Sequence, residues 1–175
     1  MQNTFGINLI PPNESARLNK LKEYKILDTT AHGPFKHIAG LAAHMFDVPI
    51  GLISLVDSNR VWFKGNVGLE GTTEMGRGES LCSIAVLSHE VTVFEDTLKE
   101  PCLLANPLVA GAFGLRFYAA APLVTHDHFN IGVLCVVDKK PRAFSVSDKQ
   151  TLKYLANMAM EELGTWKFER TSRYA

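Results

Sequence analysis

No apolar run in the 175-residue sequence approaches the roughly 18 residues that a spanning helix requires, so no transmembrane segment is expected. The opening stretch Met1-Gln2-Asn3-Thr4-Phe5-Gly6 lacks the basic-then-apolar order of a secretory leader. Net charge is also missing. Lys plus Arg and Asp plus Glu both number 18, which argues against broad electrostatic binding to nucleic acid or to an anionic membrane. Cysteine is scarce and odd in number: Cys82, Cys102 and Cys135 form no CxxC pair and no zinc-type set with histidine. Reduced thiols in a cytoplasmic protein are the expectation. The glycines at 65, 68, 71, 76 and 78 belong to no GxxxxGK[ST] phosphate loop. Among His32, His37, His44, His89, His126 and His128, no pair has helical i, i+4 spacing beside a carboxylate, so no metal site is expected.

What is present is an ordinary globular composition, 46% hydrophobic and 21% charged, at a length that suits one domain. Residues 1–12 read as an extended lead-in ending in Pro11-Pro12, and residues 13–170 as a single domain. Asn13 opens a short helix to Leu21, and Gly33-Pro34 opens a second with Phe35, Ile38, Leu41, Ala42 and Met45 at helical spacing. Ile50–Val56 and Val61–Lys64 flank the turn Asp57-Ser58-Asn59 and read as a hairpin. Residues 65–78 read as a long loop, and Ser80 opens a short helix through Leu87 that His89 closes. Val91–Phe94, Phe117–Val124 and Ile131–Val137 read as strands, with an irregular stretch from Thr97 to Gly114. A final helix starts at Ser145–Ser147 and carries an apolar stripe, Leu152, Leu155, Ala156, Ala159, Leu163 and Trp166. Hairpins without repeated strand–helix crossovers predict an α+β domain: an antiparallel sheet of five to six strands, terminal helices on one face, loops and short helices on the other.

Several segments sharpen that prediction. Ile26-Leu27-Asp28-Thr29, Val56-Asp57 with Trp62-Phe63-Lys64, Glu79-Ser80-Leu81-Cys82 and Asn106-Pro107-Leu108-Val109 occur in order along residues 15–163. Arg116–Leu123 and Ile131–Asp138 complete the series. Together they resemble a bacterial subgroup of the GAF domain family, whose members stand alone or are joined to histidine kinase, PAS and diguanylate cyclase modules. The resemblance implies a sensory or regulatory domain, dimerisation through terminal helices and an effector such as a kinase or cyclase. It does not name a ligand, because the stretch after Asp96, Leu98-Lys99-Glu100-Pro101-Cys102-Leu103-Leu104, departs from the family pattern. No cysteine precedes a histidine, which speaks against a covalent bilin.

The expected pocket lies between the sheet and the loops at 65–82 and 97–116. Its candidate residues are the aromatics Trp62, Phe94 and Tyr118, the cations Arg77 and Arg116, and Ser80, Cys82 and Asp96. Arg77 precedes the Ser80 helix start, where backbone N–H groups favour anions. Arg77 and Arg116 are equally candidates for structural pairing with Glu79 or Asp96. Cys82 near a helix start suits a lowered thiol pKa, but with no adjoining histidine the plainer reading is a small buried side chain. Cys135, mid-strand, reads as core. Cys102, after Pro101, reads as the most exposed thiol. Some GAF domains reduce free methionine sulfoxide, so a thiol-dependent reductase using Cys82 and Cys102 is one alternative to a ligand sensor. A ligand-free dimerisation module is the other.

Overall fold

The computed structural model describes residues 2–30 and 33–173. His32 lies outside the described residues. Helix α1 spans Glu14–Glu23 and α2 Pro34–Met45, where proline sits in the first turn. The strands are β1 Ile50–Val56, β2 Arg60–Val67, β3 Glu74–Gly76, β4 Thr92–Phe94, β5 Phe117–Val124 and β6 Asn130–Asp138. Between β3 and β4 lies the four-residue helix α3, Cys82–Ala85. Between β4 and β5 come the 3-10 turns η1, Thr97–Lys99, and η2, Pro101–Leu103, and then α4, Pro107–Ala110. Helix α5 runs from Val146 to Arg173. Its start is a reciprocal cap: the Asp148 amide donates to Ser145 Oγ and the Ser145 amide to Asp148 Oδ2.

The six strands form one antiparallel sheet in the order β3-β2-β1-β6-β5-β4. The first and last strands pair at its centre, so the two halves of the chain are tied together there. Residues alternate between two cores, as strand geometry requires. Ile53 and Leu55 of β1, with Phe117, Ala119 and Ala121 of β5, face α2 and α5. Leu52 and Val56, with Tyr118 and Ala120, face the short helices and loops.

The helix face is packed very closely. A methyl at Gly51 would stand 2.2 Å from the Ala39 carbonyl oxygen, and one at Gly65 2.4 Å from that of Phe35. The backbone of α2 therefore rests on β1 and β2 where no side chain fits. All six stripe residues of α5 belong to this core or pack against it, Trp166 with its ring edge-on to Phe35 at 6.5 Å. The side of α5 turned to solvent carries Tyr154, Met158 and Phe168 instead.

Three elements differ from their sequence-based expectation. β2 continues through Val67, and β3 pairs with Arg60–Trp62, within what reads as a long loop. β3 is three residues long and ends in glycine, too short to show alternation. The helix expected from Ser80 to Leu87 shrinks to Cys82–Ala85, with no side-chain cap, and His89 falls in the bend beyond it.

Candidate functional site

On the loop face, between the sheet and α3 and α4, a cavity of about 160 Å³ remains. Its floor is Leu52, Phe63, Tyr118, Cys135 and Val137 of β1, β2, β5 and β6. Its walls include Leu69 and Met75 from the β2–β3 region, Ser80 to Cys82 at the start of α3, and Leu108, Phe113 and Leu115. The lining is almost wholly apolar, and among the described residues no charged side chain contributes to it.

Polar chemistry is concentrated at one spot. Cys82 Sγ and Cys135 Sγ stand 3.9 Å apart, and both residues are buried. The Tyr118 hydroxyl donates to Cys82 Sγ at 3.3 Å, and Ser80 Oγ accepts from the Cys82 amide. The buried Ser54 Oγ has no hydrogen-bond partner. Hydrogen bonding from Cys135 draws the Cys82 thiol below its usual range. Burial opposes that shift, and Tyr118 and Ser80 support it. The second proton is held on Cys135, well above the usual range, by its bond to Cys82 and by burial. Burial also raises the Tyr118 phenol well above its ordinary value, so it remains a proton donor.

Of the eight sequence-predicted ligand residues, Ser80, Cys82 and Tyr118 line this cavity. Phe94 stands behind it, its ring 6.3 Å from that of Tyr118. Trp62 points to the opposite face of the sheet, because its register places it with Ile53 and Leu55. There its ring and those of Phe35 and Trp166 surround the buried Lys64 ammonium, whose pKa burial lowers to about 8. Asp96 caps η1 by accepting from the Leu98 amide.

Neither arginine faces the cavity. Arg77 is fully buried and pairs with Glu14, not with Glu79 or Asp96; it also donates to the carbonyls of Leu9 and Asp57. Glu14 is shared with Arg17, itself buried and bonded to the Val56 carbonyl. Burial pushes the Glu14 carboxyl upward, but the hydrogen bonds from Arg17 and Arg77 outweigh it and hold the pKa at about 2. Arg116 donates to the carbonyls of Val109 and Leu115. Both arginines therefore satisfy loop backbone.

The cysteine pairing also differs from expectation. The sulfur beside Cys82 is that of Cys135, a residue that reads in sequence as core alone. Cys102 is half-buried on η2 and does not line the cavity. Cys135 and Ser54 escape sequence reading because only the β1–β6 register and the seating of α3 bring them to Cys82. Among the described residues, no group of three or more His, Cys, Asp or Glu side chains could hold a metal ion. Nor is any helix among them long and apolar enough to cross a membrane.

The GAF domain profile matches residues 32–163. The chain belongs to the GAF domain family. It is 34% identical over 156 residues to a cyclic di-GMP phosphodiesterase of Pseudomonas aeruginosa, a match covering 89% of this chain and 26% of that enzyme. The chain thus spans about a quarter of the length of the relative it matches. Among solved structures, the GAF domain of an Acinetobacter phosphoenolpyruvate-protein phosphotransferase aligns with a TM-score of 0.62 at 18% identity, over 86% of this chain and 92% of that one. The free methionine-R-sulfoxide reductase of Neisseria meningitidis, solved with its substrate, aligns with a TM-score of 0.61 at 18% identity, over 98% and 99%. At such identities the likeness is one of fold. Membership of the family supports a sensory or regulatory role.

Proposed function

We propose that this GAF domain is the sensory module of a signalling system and takes up a small, neutral, largely apolar molecule in the loop-face cavity. The single observation that carries this reading is the cavity itself, apolar in lining and bounded by loops and short helices. The commitment of Arg77 and Arg116 to protein carbonyls leaves no cation there for an anionic ligand such as a nucleotide. Ligand binding would favour the ordered state of the 65–81 and 105–116 segments. It would bias an effector only through a difference in affinity between two states. A cyclic-dinucleotide phosphodiesterase, a cyclase or a histidine kinase, joined or acting in trans, would read that state. The solvent-facing Tyr154, Met158 and Phe168 of α5 offer a surface for a homodimer through the terminal helix.

Native mass spectrometry of freshly purified protein, paired with hydrogen exchange, tests the reading. The expected result is a co-purified or added neutral ligand that protects residues 69–81 and 105–115 and is lost on Leu108→Trp. A clean apo mass, with no apolar compound changing protection in those segments, would overturn it and favour a ligand-free dimerisation module.

A further inference from the structure

The thiol pair opens directly into the cavity, which the proposed sensory reading leaves chemically unused. A cavity for an inert ligand needs no nucleophile, and a buried cysteine needs no partner. Here two features converge on one spot: two thiols stand 3.9 Å apart, and a phenol hydroxyl donates to one of them. Both cysteines and Tyr118 are cavity-lining residues, so a molecule in the cavity touches them.

This arrangement fits one class of reactive ligand. The lining excludes charged molecules and favours an apolar body. The nucleophile is a thiol that gives up its proton more readily than a free one, and Tyr118 supplies a proton to a leaving group. A carbon electrophile would alkylate one sulfur only and leave Cys135 unexplained. An oxidant engages both. We infer that the cavity binds an apolar organic hydroperoxide and reduces it, with Cys82 as the attacking thiol and Cys135 as the resolving one. The inference rests on the cavity being a ligand site.

In the first step Cys82 Sγ attacks the terminal oxygen of the hydroperoxide. An S–O bond forms, the O–O bond breaks, and the departing alkoxide takes the proton of the Cys82 thiol, relayed through Tyr118. The products are a Cys82 sulfenic acid and an alcohol. In the second step Cys135 Sγ attacks the sulfenic sulfur, a disulfide forms and water leaves. Two thiols have lost two electrons, and the hydroperoxide has gained them. The sulfurs must close from 3.9 Å to about 2.05 Å, which draws the start of α3 toward β6. A small dithiol reductant restores the pair.

The test uses the whole chain and two probes, cumene hydroperoxide and its unreactive product 2-phenyl-2-propanol. One equivalent of the hydroperoxide should remove 2 mass units from the protein, about as expected for two lost hydrogens, and yield a linked Cys82–Cys135 peptide while Cys102 stays open to alkylation. The reaction should outpace hydrogen peroxide by about tenfold or more, because apolar burial in the cavity favours the organic reagent. Leu108→Trp should abolish that preference. Cys135→Ala should stop at a sulfenic acid on Cys82 that dimedone traps; if this variant does not fold, the linked peptide of the unaltered chain still decides. Binding of the alcohol together with no disulfide formed by the hydroperoxide, oxidation of Cys102 first, or a single-thiol adduct would overturn the inference and leave the ligand site standing. Failure of the alcohol to bind would overturn both.

Discussion

The two faces of the sheet are built by different means. The helix face is closed by long amphipathic elements, small residues and two glycines that let α2 rest on the strands. The loop face is closed by short pieces of backbone, each tied down by a buried polar side chain. Arg77 holds the N-terminal lead-in and the β1–β2 turn. Asn106 donates to Thr4 and to the Glu79 carbonyl, and Asn130 to the carbonyls of Val86 and Ser88. Loops cannot satisfy their own carbonyls as helices do, so burying them requires such donors. Side-chain hooks fill space less completely than a helix does, and the cavity lies on the face they close.

Arg77→Ala should have the largest effect. It leaves Glu14 short of a partner and several carbonyls unsatisfied, at a cost of about 3–5 kcal/mol in urea unfolding. Gly65→Ala probes the other face. The added methyl collides with backbone rather than with a flexible side chain, so a loss of about 1–3 kcal/mol is expected, with the cavity's ligand response unchanged in the molecules that fold. The Glu14 cluster also sets an acid limit. A carboxyl depressed from 4.5 to about 2 contributes stability that is complete above its unfolded value and lost as pH falls through that window. Unfolding midpoints followed from pH 6 downward should therefore drop between about pH 4.5 and pH 2, and Glu14→Gln should flatten the slope. Leu108→Trp fills space rather than opening it, so stability should change by no more than about 1 kcal/mol while ligand uptake is lost. Tyr118→Phe should have the smallest effect on stability, but it should shift the Cys82 alkylation profile to higher pH, because a hydrogen bond that favours the thiolate is gone.

Most of the fold is legible in the sequence through periodicity. The α5 stripe, the β1–β2 hairpin and the β5–β6 pair all announce themselves by spacing, and the GAF resemblance set them in order. The site was legible only in part. Ser80, Cys82 and Tyr118, which line the cavity, carry a local signal, since each is a residue type next to a short helix or on a strand. Arg77 and Arg116 read as cations beside a pocket, but a lone arginine in sequence does not reveal whether its fork meets ligand or loop carbonyl. Trp62 depended on one step of strand parity, which places it with Lys64 on the far face. Cys135 carries no local signal: its nearness to Cys82 comes from packing across 53 residues.

The most direct test of the two-face account is a methyl NMR titration of the whole chain with 2-phenyl-2-propanol. The account predicts shifts confined to the methyls of Met75, Leu69, Leu108 and Leu115 on the loop face, with Leu134, Leu155 and Leu163 on the helix face unmoved. No shift at any of the first group, or equal shifts on both faces, would contradict it.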